Sequence, residues 1–259
     1  MEGVPPVELQ QREREVRGAI AAVRDPEIDE AVADLDFVVG VKVAAGDVTV
    51  SLRLPTFWCP VNFVYLMAEE MRAAVMNLPW VSAFHLNLMD HFASAEINAG
   101  VNGSRAFDAA FPRHASGTLD TLRRDFAVKG MLMRQGRLVN ALRRQGLQDP
   151  TFASATIGEL EQIAATHRIE DLFSDYIEKR REAGLPVLAK EPGICDTKGA
   201  AVSDLAVHMR EIRRVSTNAA ANGEMCRMLV AARRQGVVCS GSHALPFSAS
   251  QSPRRRFDE

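Results

Sequence analysis

The sequence is sparing with the residues that most often announce a fold or a reaction. Only 4 of its 259 residues are cysteine, and Cys59, Cys195, Cys226 and Cys239 stand at wide, irregular intervals. That spacing argues against a disulfide-stapled scaffold and makes a reducing cytoplasm the expected setting. No stretch approaches the roughly 20 consecutive apolar residues that a membrane span requires. The N-terminus has no basic region followed by an apolar one, so no secretory signal is expected. There is no G-x-x-x-x-G-K-[ST] loop and no G-x-G-x-x-G fingerprint, which leaves nucleotide hydrolysis and dinucleotide binding without a signal. No E-x-x-H pair appears, so the chain does not read as a di-iron carboxylate enzyme. Internal repeats and heptad runs are missing too.

What is present suffices for a core: 47% of the residues are hydrophobic and 25% charged. The net charge of −2 conceals an asymmetry. Residues 1–115 hold 9 basic and 16 acidic side chains, and residues 116–259 hold 22 and 17. The step coincides with the passage NAGVNGSRAFDAAFPRHASGT, which has glycines, a proline and no sustained period. Three regions are therefore expected: an α+β domain over 1–115, a helical domain over 116–239, and a polar, Ser-rich tail over 240–259. The tail should be mobile unless a partner orders it.

Within the first region, Leu9, Val16, Ile20 and Val23 recur at helical intervals, and Asp25-Pro26-Glu27 stops that helix. Val39, Val41 and Val43 alternate with polar or small residues, as do Val48, Val50, Leu52 and Leu54 beyond a Gly-Asp loop. This predicts a β-hairpin with one buried face. Val64, Met67, Met71, Val75 and Leu78 then predict a second helix, and Phe84, Leu86 and Leu88 a third strand. The order is α-β-β-α-β, with helices packed on one face of the sheet.

The stretch PTFWCP, residues 55–60, joins the hairpin to the second helix. Proline is favoured as a first helical residue, so Cys59 is expected at the N-cap of the helix that Pro60 opens. Unpaired backbone N–H groups and the helix dipole would there lower the thiol pKa and favour the thiolate, the form that binds metal or attacks an electrophile. The alternative is a small buried residue, because cysteine is among the most buried types.

The succession Asp25-Pro26-Glu27, the Val39–Leu54 hairpin, Thr56-x-x-Cys59-Pro60 and Leu78-Pro79-x-Val81 resembles one family over roughly residues 8–95. It is the small iron–sulfur assembly domain found in bacterial SUF operons, in a phenylacetate-oxygenase accessory protein and in eukaryotic cytosolic iron–sulfur targeting subunits. The resemblance implies an α+β fold and a role in maturing iron-containing proteins. It also implies Cys59 as the functional, possible metal-binding cysteine, with Asp25, Pro26, Glu27, Thr56 and Pro60 family-typical. Its cargo would be iron or a transient iron–sulfur cluster. Its partners would be assembly components or a client metalloenzyme, including a multicomponent oxygenase.

The second half reads as all-helical, with amphipathic segments at 119–145, 157–166, 169–183, 201–217 and 224–235. In the first of these, Arg123, Arg134, Arg137 and Arg144 cluster opposite an apolar arc, with Phe126 and Met133 beside them. One reading is a docking surface for an acidic patch on a client; the other is a solvated helix face. No aromatics interleave with the arginines, so nucleic acid is not an expected partner. Asp90 and His91, just past the third strand, are candidate metal ligands because strand ends commonly host sites. Cys195, Cys226, Cys239 and His243 do not have the paired C-x-x-C spacing of a zinc knuckle. Three functions remain in view: a carrier or adaptor in iron-enzyme maturation, a metal-free interaction module, and a cysteine-nucleophile enzyme. The last lacks an evident base beyond His85 or His91.

Overall fold

A computed structural model describes residues 5–112 and 119–235. The first part is the expected α-β-β-α-β unit: α1 (Pro6–Ala21), β1 (Val38–Ala44), β2 (Asp47–Arg53), α2 (Val61–Met76) and β3 (Ala83–Met89). β1 and β2 form an antiparallel hairpin in which Ala44 faces Asp47. The turn residues Ala45 and Gly46 both have positive φ, 48° and 100°, the backbone of a type I′ turn whose twist matches that of the strands. α2 then crosses over, and β3 lies parallel to β2 with Val50 opposite Leu86.

Alternation puts Val48, Val50, Leu52, Phe84, Leu86 and Leu88 on the buried face, against Val16, Ile20, Val64 and Met71 of the helices. His85 and Asn87 point to the other, open face. The passage read as patternless holds the second half of one further helix, α3 (Ser94–Asn102), and the whole of another, α4 (Phe107–Ala110). α3 finishes the sheet. Asn102 Oδ1 accepts from the Leu86 amide at 2.7 Å and Asn98 Oδ1 from the Leu88 amide at 2.8 Å, while both side-chain amides donate back to the same residues' carbonyls. Two asparagines one helical turn apart thus occupy the free edge of β3, where an unpaired ladder would otherwise invite another strand.

The second part is helical: α5 (Leu119–Arg144), α6 (Asp149–Ala153), α7 (Ile157–Thr166), α8 (Glu170–Glu182) and α9 (Leu205–Arg234). Its own core joins Met131, Leu138, Leu142, Phe152, Leu160, Tyr176 and Ile212. The two segments expected at 201–217 and 224–235 are one continuous helix, α9. Its first half lies in the second core through Met209 and Ile212; its last turns reach the first core, where Val230 is buried and Cys226 packs. The boundary expected at 115/116 falls within residues 113–118, and the tail within 236–259, both outside the described residues.

Candidate functional site

The site starts at the turn after α1. The Asp25 carboxylate accepts from the backbone amides of Glu27 at 2.9 Å and Ile28 at 3.2 Å. Pro26 fixes φ between them, so Asp-Pro-Glu is a self-capped turn that holds one carboxylate half-buried. Burial pushes the Asp25 pKa up to about 6 and outweighs those two amides.

Cys59 lies across from this turn, in the loop between β2 and α2. The N-cap of α2 is Pro60, not Cys59. The thiol therefore stands one residue outside the helix and does not receive its amides; its neighbour is the Thr56 hydroxyl, 3.3 Å away. Its pKa is therefore not lowered as expected but raised. Burial pushes the thiol up, Thr56 and Arg233 oppose that shift, and the charge of Asp25 adds to it.

His91 holds the loop from below. Its Nε2 donates to the Cys59 carbonyl at 2.8 Å and its Nδ1 accepts from the Ala93 amide at 3.2 Å. Both ring nitrogens are engaged by main chain, and burial lowers the ring's pKa. Asp90, with φ of 52°, is tied to the Arg53 guanidinium. The two residues expected as metal ligands are thus a brace for the Cys59 backbone and a surface ion pair. Among the described residues, no three His, Cys, Asp or Glu side chains are grouped to hold a metal ion.

Sequence reasoning missed two components. Phe57, Trp58 and Phe92 are 46%, 62% and 61% exposed. The Phe92 amide bonds the Phe57 carbonyl at 3.0 Å, and the Phe57 and Trp58 rings meet edge to face at 4.8 Å, so an aromatic patch adjoins the thiol. Its signal lay in PTFWCP itself, where prolines on both sides keep Phe57 and Trp58 out of helix and ladder. The second is Cys226, brought in by α9. Its thiol is pushed up to about 11, first by burial and then by the charges of Asp25, Cys59 and Glu27. Cys195, by contrast, sits in the second core, so the two do not share a site.

The arginine face of α5 proves to be largely ion-paired within the fold, though only Arg134 is buried. Arg134 is only 4% exposed and grips Asp29 with two bonds of 3.0 and 3.1 Å, while its third nitrogen meets Asp175 at 2.8 Å. Arg137 lies 3.4 Å from Asp175, and Arg123 bridges Asp120 at 2.8 Å and Glu69 at 3.2 Å. Phe126 is buried edge-on against Phe63, 5.0 Å between centroids, and Met133 is half-buried. Arg144 alone of the four is exposed with no ion pair described. The face expected to dock a client instead seams the helical part to the Asp29 turn, because a carboxylate sits opposite each of its other three arginines.

Residues 13–83 match the family described as iron-sulfur cluster assembly protein. The N-terminal unit is an iron–sulfur cluster assembly domain. The match contains Asp25, Thr56, Cys59 and Pro60, and covers 71 of the 259 residues. The match supports a role in iron–sulfur cluster assembly or maturation. His91 and helices α3 to α9 lie beyond the matched segment of the assembly domain. No curated protein matches the chain, and no solved structure does.

Proposed function

We propose that this protein is an accessory carrier or adaptor in the maturation of iron-containing enzymes, with Cys59 as the thiol that takes the iron or cluster. The observation that carries this reading is the placement of Cys59. Within the matched domain it stands beside the half-buried Asp25 carboxylate and under an exposed aromatic patch. A thiol at the edge of an exposed aromatic patch is positioned to exchange cargo with a partner that covers it. The client class named by the resemblance is a multicomponent oxygenase, and a reducing cytoplasm suits the thiols of Cys59, Cys195 and Cys226, which are free. The second reading, a metal-free interaction module, draws on the same aromatic patch.

Transfer to an apo-client separates the two. Protein reconstituted with iron and sulfide should activate an apo iron–sulfur acceptor, and Cys59→Ser should abolish transfer while leaving the melting temperature within a few degrees. Full transfer by Cys59→Ser would leave only the interaction reading.

A further inference from the structure

α9 presents two faces along its second half, and the fold uses one of them. Gly223, Cys226, Val230 and Arg233 share the inner face. A Cβ on Gly223 would stand 3.0 Å from Glu30 Oε1, Val230 is buried in the first core, and Arg233 donates to the carbonyls of Leu54 and Arg53. The outer face is apolar too. Met225 and Met228 are 57% and 64% exposed, Ala221 is exposed, and Ala232 is half-buried.

Asn218, Ala221, Met225, Met228, Ala232 and Gln235 recur at alternating steps of three and four residues. That mean spacing of about 3.5 is the one by which two helices pack along a shared seam. The next seam positions upstream are Arg214 and Glu211, so the uncharged stretch begins at Asn218. The seam also reads the same in both directions. Its midpoint falls between Met225 and Met228; Ala221 and Ala232 stand equally far from it, and so do Asn218 and Gln235. An identical helix laid antiparallel across it sets Met225 against Met228 of the second copy, sets Ala221 against Ala232, and pairs Asn218 with Gln235 at both ends. A partner of unrelated sequence makes no such demand on the seam. Antiparallel pairing also sets opposite ends of the two helix dipoles side by side and keeps the last-turn arginines, Arg233 and Arg234, of the two copies apart.

We propose that the outer face of α9 is a dimer interface, through which two copies of this chain pair antiparallel about a two-fold axis between Met225 and Met228. Such an interface is the same patch on both subunits, and the palindromic seam is what that symmetry requires. Methionine suits the centre, because its unbranched side chain adapts to the one it meets. The amides at the two ends fix the register, as a polar residue in an apolar seam does. From Asn218 to Gln235 the seam runs five turns, about 27 Å. An interface of that size belongs with the weaker protein pairs, so the dissociation constant should be micromolar. The proposal stands apart from the carrier reading, since none of these six residues lies in the assembly domain.

The test is sedimentation velocity of the full chain over a concentration series, with reductant present so that thiols cannot link two copies. The parent should pass from monomer to dimer as concentration rises. Met225→Glu and Met228→Lys should each weaken the dimer by about 100-fold, because an unpaired charge then faces a methionine in both central layers. Mixed one to one, the two variants should pair again to within about tenfold of the parent. Antiparallel pairing sets the introduced glutamate against the introduced lysine in one layer and leaves two methionines in the other. Circular dichroism checks the fold of each variant. Should one unfold, Ala221→Glu and Ala232→Lys make the same complementary pair one layer out. A parent that stays monomeric up to millimolar concentration overturns the proposal, and so do folded variants that dimerise as the parent does. If both variants are monomeric and their mixture is too, the copies do not pair in this antiparallel register and the proposal falls.

Discussion

The two apolar cores treat their cysteines in opposite ways. Cys195, in the second core, is fully buried; its amide bonds Gln135 Oε1 at 2.9 Å, its carbonyl accepts from Gln135 Nε2 at 3.0 Å, and its thiol lies 3.6 Å from the Tyr176 hydroxyl. Cys59, at the rim of the first core, has Thr56 beside it, the charge of Asp25 acting on it, and exposed rings around it. Burial pushes both thiols up. A raised thiol is therefore no mark of function by itself. What separates the two is whether the surrounding polar groups are used up inside the fold or left facing a surface.

The sharpest way to break this contrast is at Gln135. Its amide also meets His208 Nε2 at 2.8 Å, and its oxygen lies 2.9 Å from the Tyr176 hydroxyl, all of it buried. Gln135→Leu keeps the volume and strands the Cys195 amide and carbonyl together. Each unpaired buried polar group costs about 1–3 kcal/mol, so a loss of about 3 kcal/mol is expected in urea unfolding. A loss below about 1 kcal/mol would mean that solvent reaches the network, and the second core would then differ less from the first.

The legibility of this molecule follows the same division. The hairpin, α2 and β3 could be read from the sequence because alternation and helical recurrence are local consequences of having one buried face. α3 was not. Its signal is Asn98 and Asn102 bonding the edge of β3, a contact that no periodicity of apolar residues encodes. Arg134 misled for a related reason. On a helical wheel it is one more charged residue opposite an apolar arc, and only the fold brings Asp29, 105 residues earlier, against it. Cys59 was legible as a site through its local motif. Cys226 was not recognisable as part of the same core, because that needs α9 to run unbroken from one core to the other.

A smaller effect is expected at Asp25, where the first core half-buries a carboxylate. Its folded pKa of about 6 lies above the usual 3.8, so the fold disfavours the carboxylate. Stability is then unaffected below the unfolded value, falls as pH rises from about 4 to 6, and stays lower above that. That difference converts to about 3 kcal/mol, reduced to about 1–2 kcal/mol because solvent reaches part of this side chain. Asp25→Asn keeps the acceptor for the Glu27 and Ile28 amides and removes the charge. It should flatten the curve between pH 4 and 6 and raise stability at pH 7 by about 1–2 kcal/mol. An unchanged slope in the variant would show that another group titrates there. If the carboxylate serves cargo exchange, the more stable variant should also transfer more slowly.

The smallest stability effect, and the one that best sharpens the comparison, belongs to Trp58. Its ring is 62% exposed and touches Phe57 edge to face, whereas Phe152 in the second core is fully buried. Phe152→Ala should cost about 3–5 kcal/mol, since it empties a packed site. Trp58→Ser removes an even larger side chain, yet most of its surface is already in water. It should change the unfolding midpoint by no more than about 0.5 kcal/mol. A large exposed aromatic that does nothing for stability has to be accounted for by what it meets. Trp58→Ser should therefore raise the concentration of apo-client needed for half-maximal transfer several-fold. If transfer is unaffected at every client concentration, the patch is not the surface that a client covers. If instead the variant melts with a loss approaching that of Phe152→Ala, the ring is packed in solution and the rim of the first core is as closed as the centre of the second.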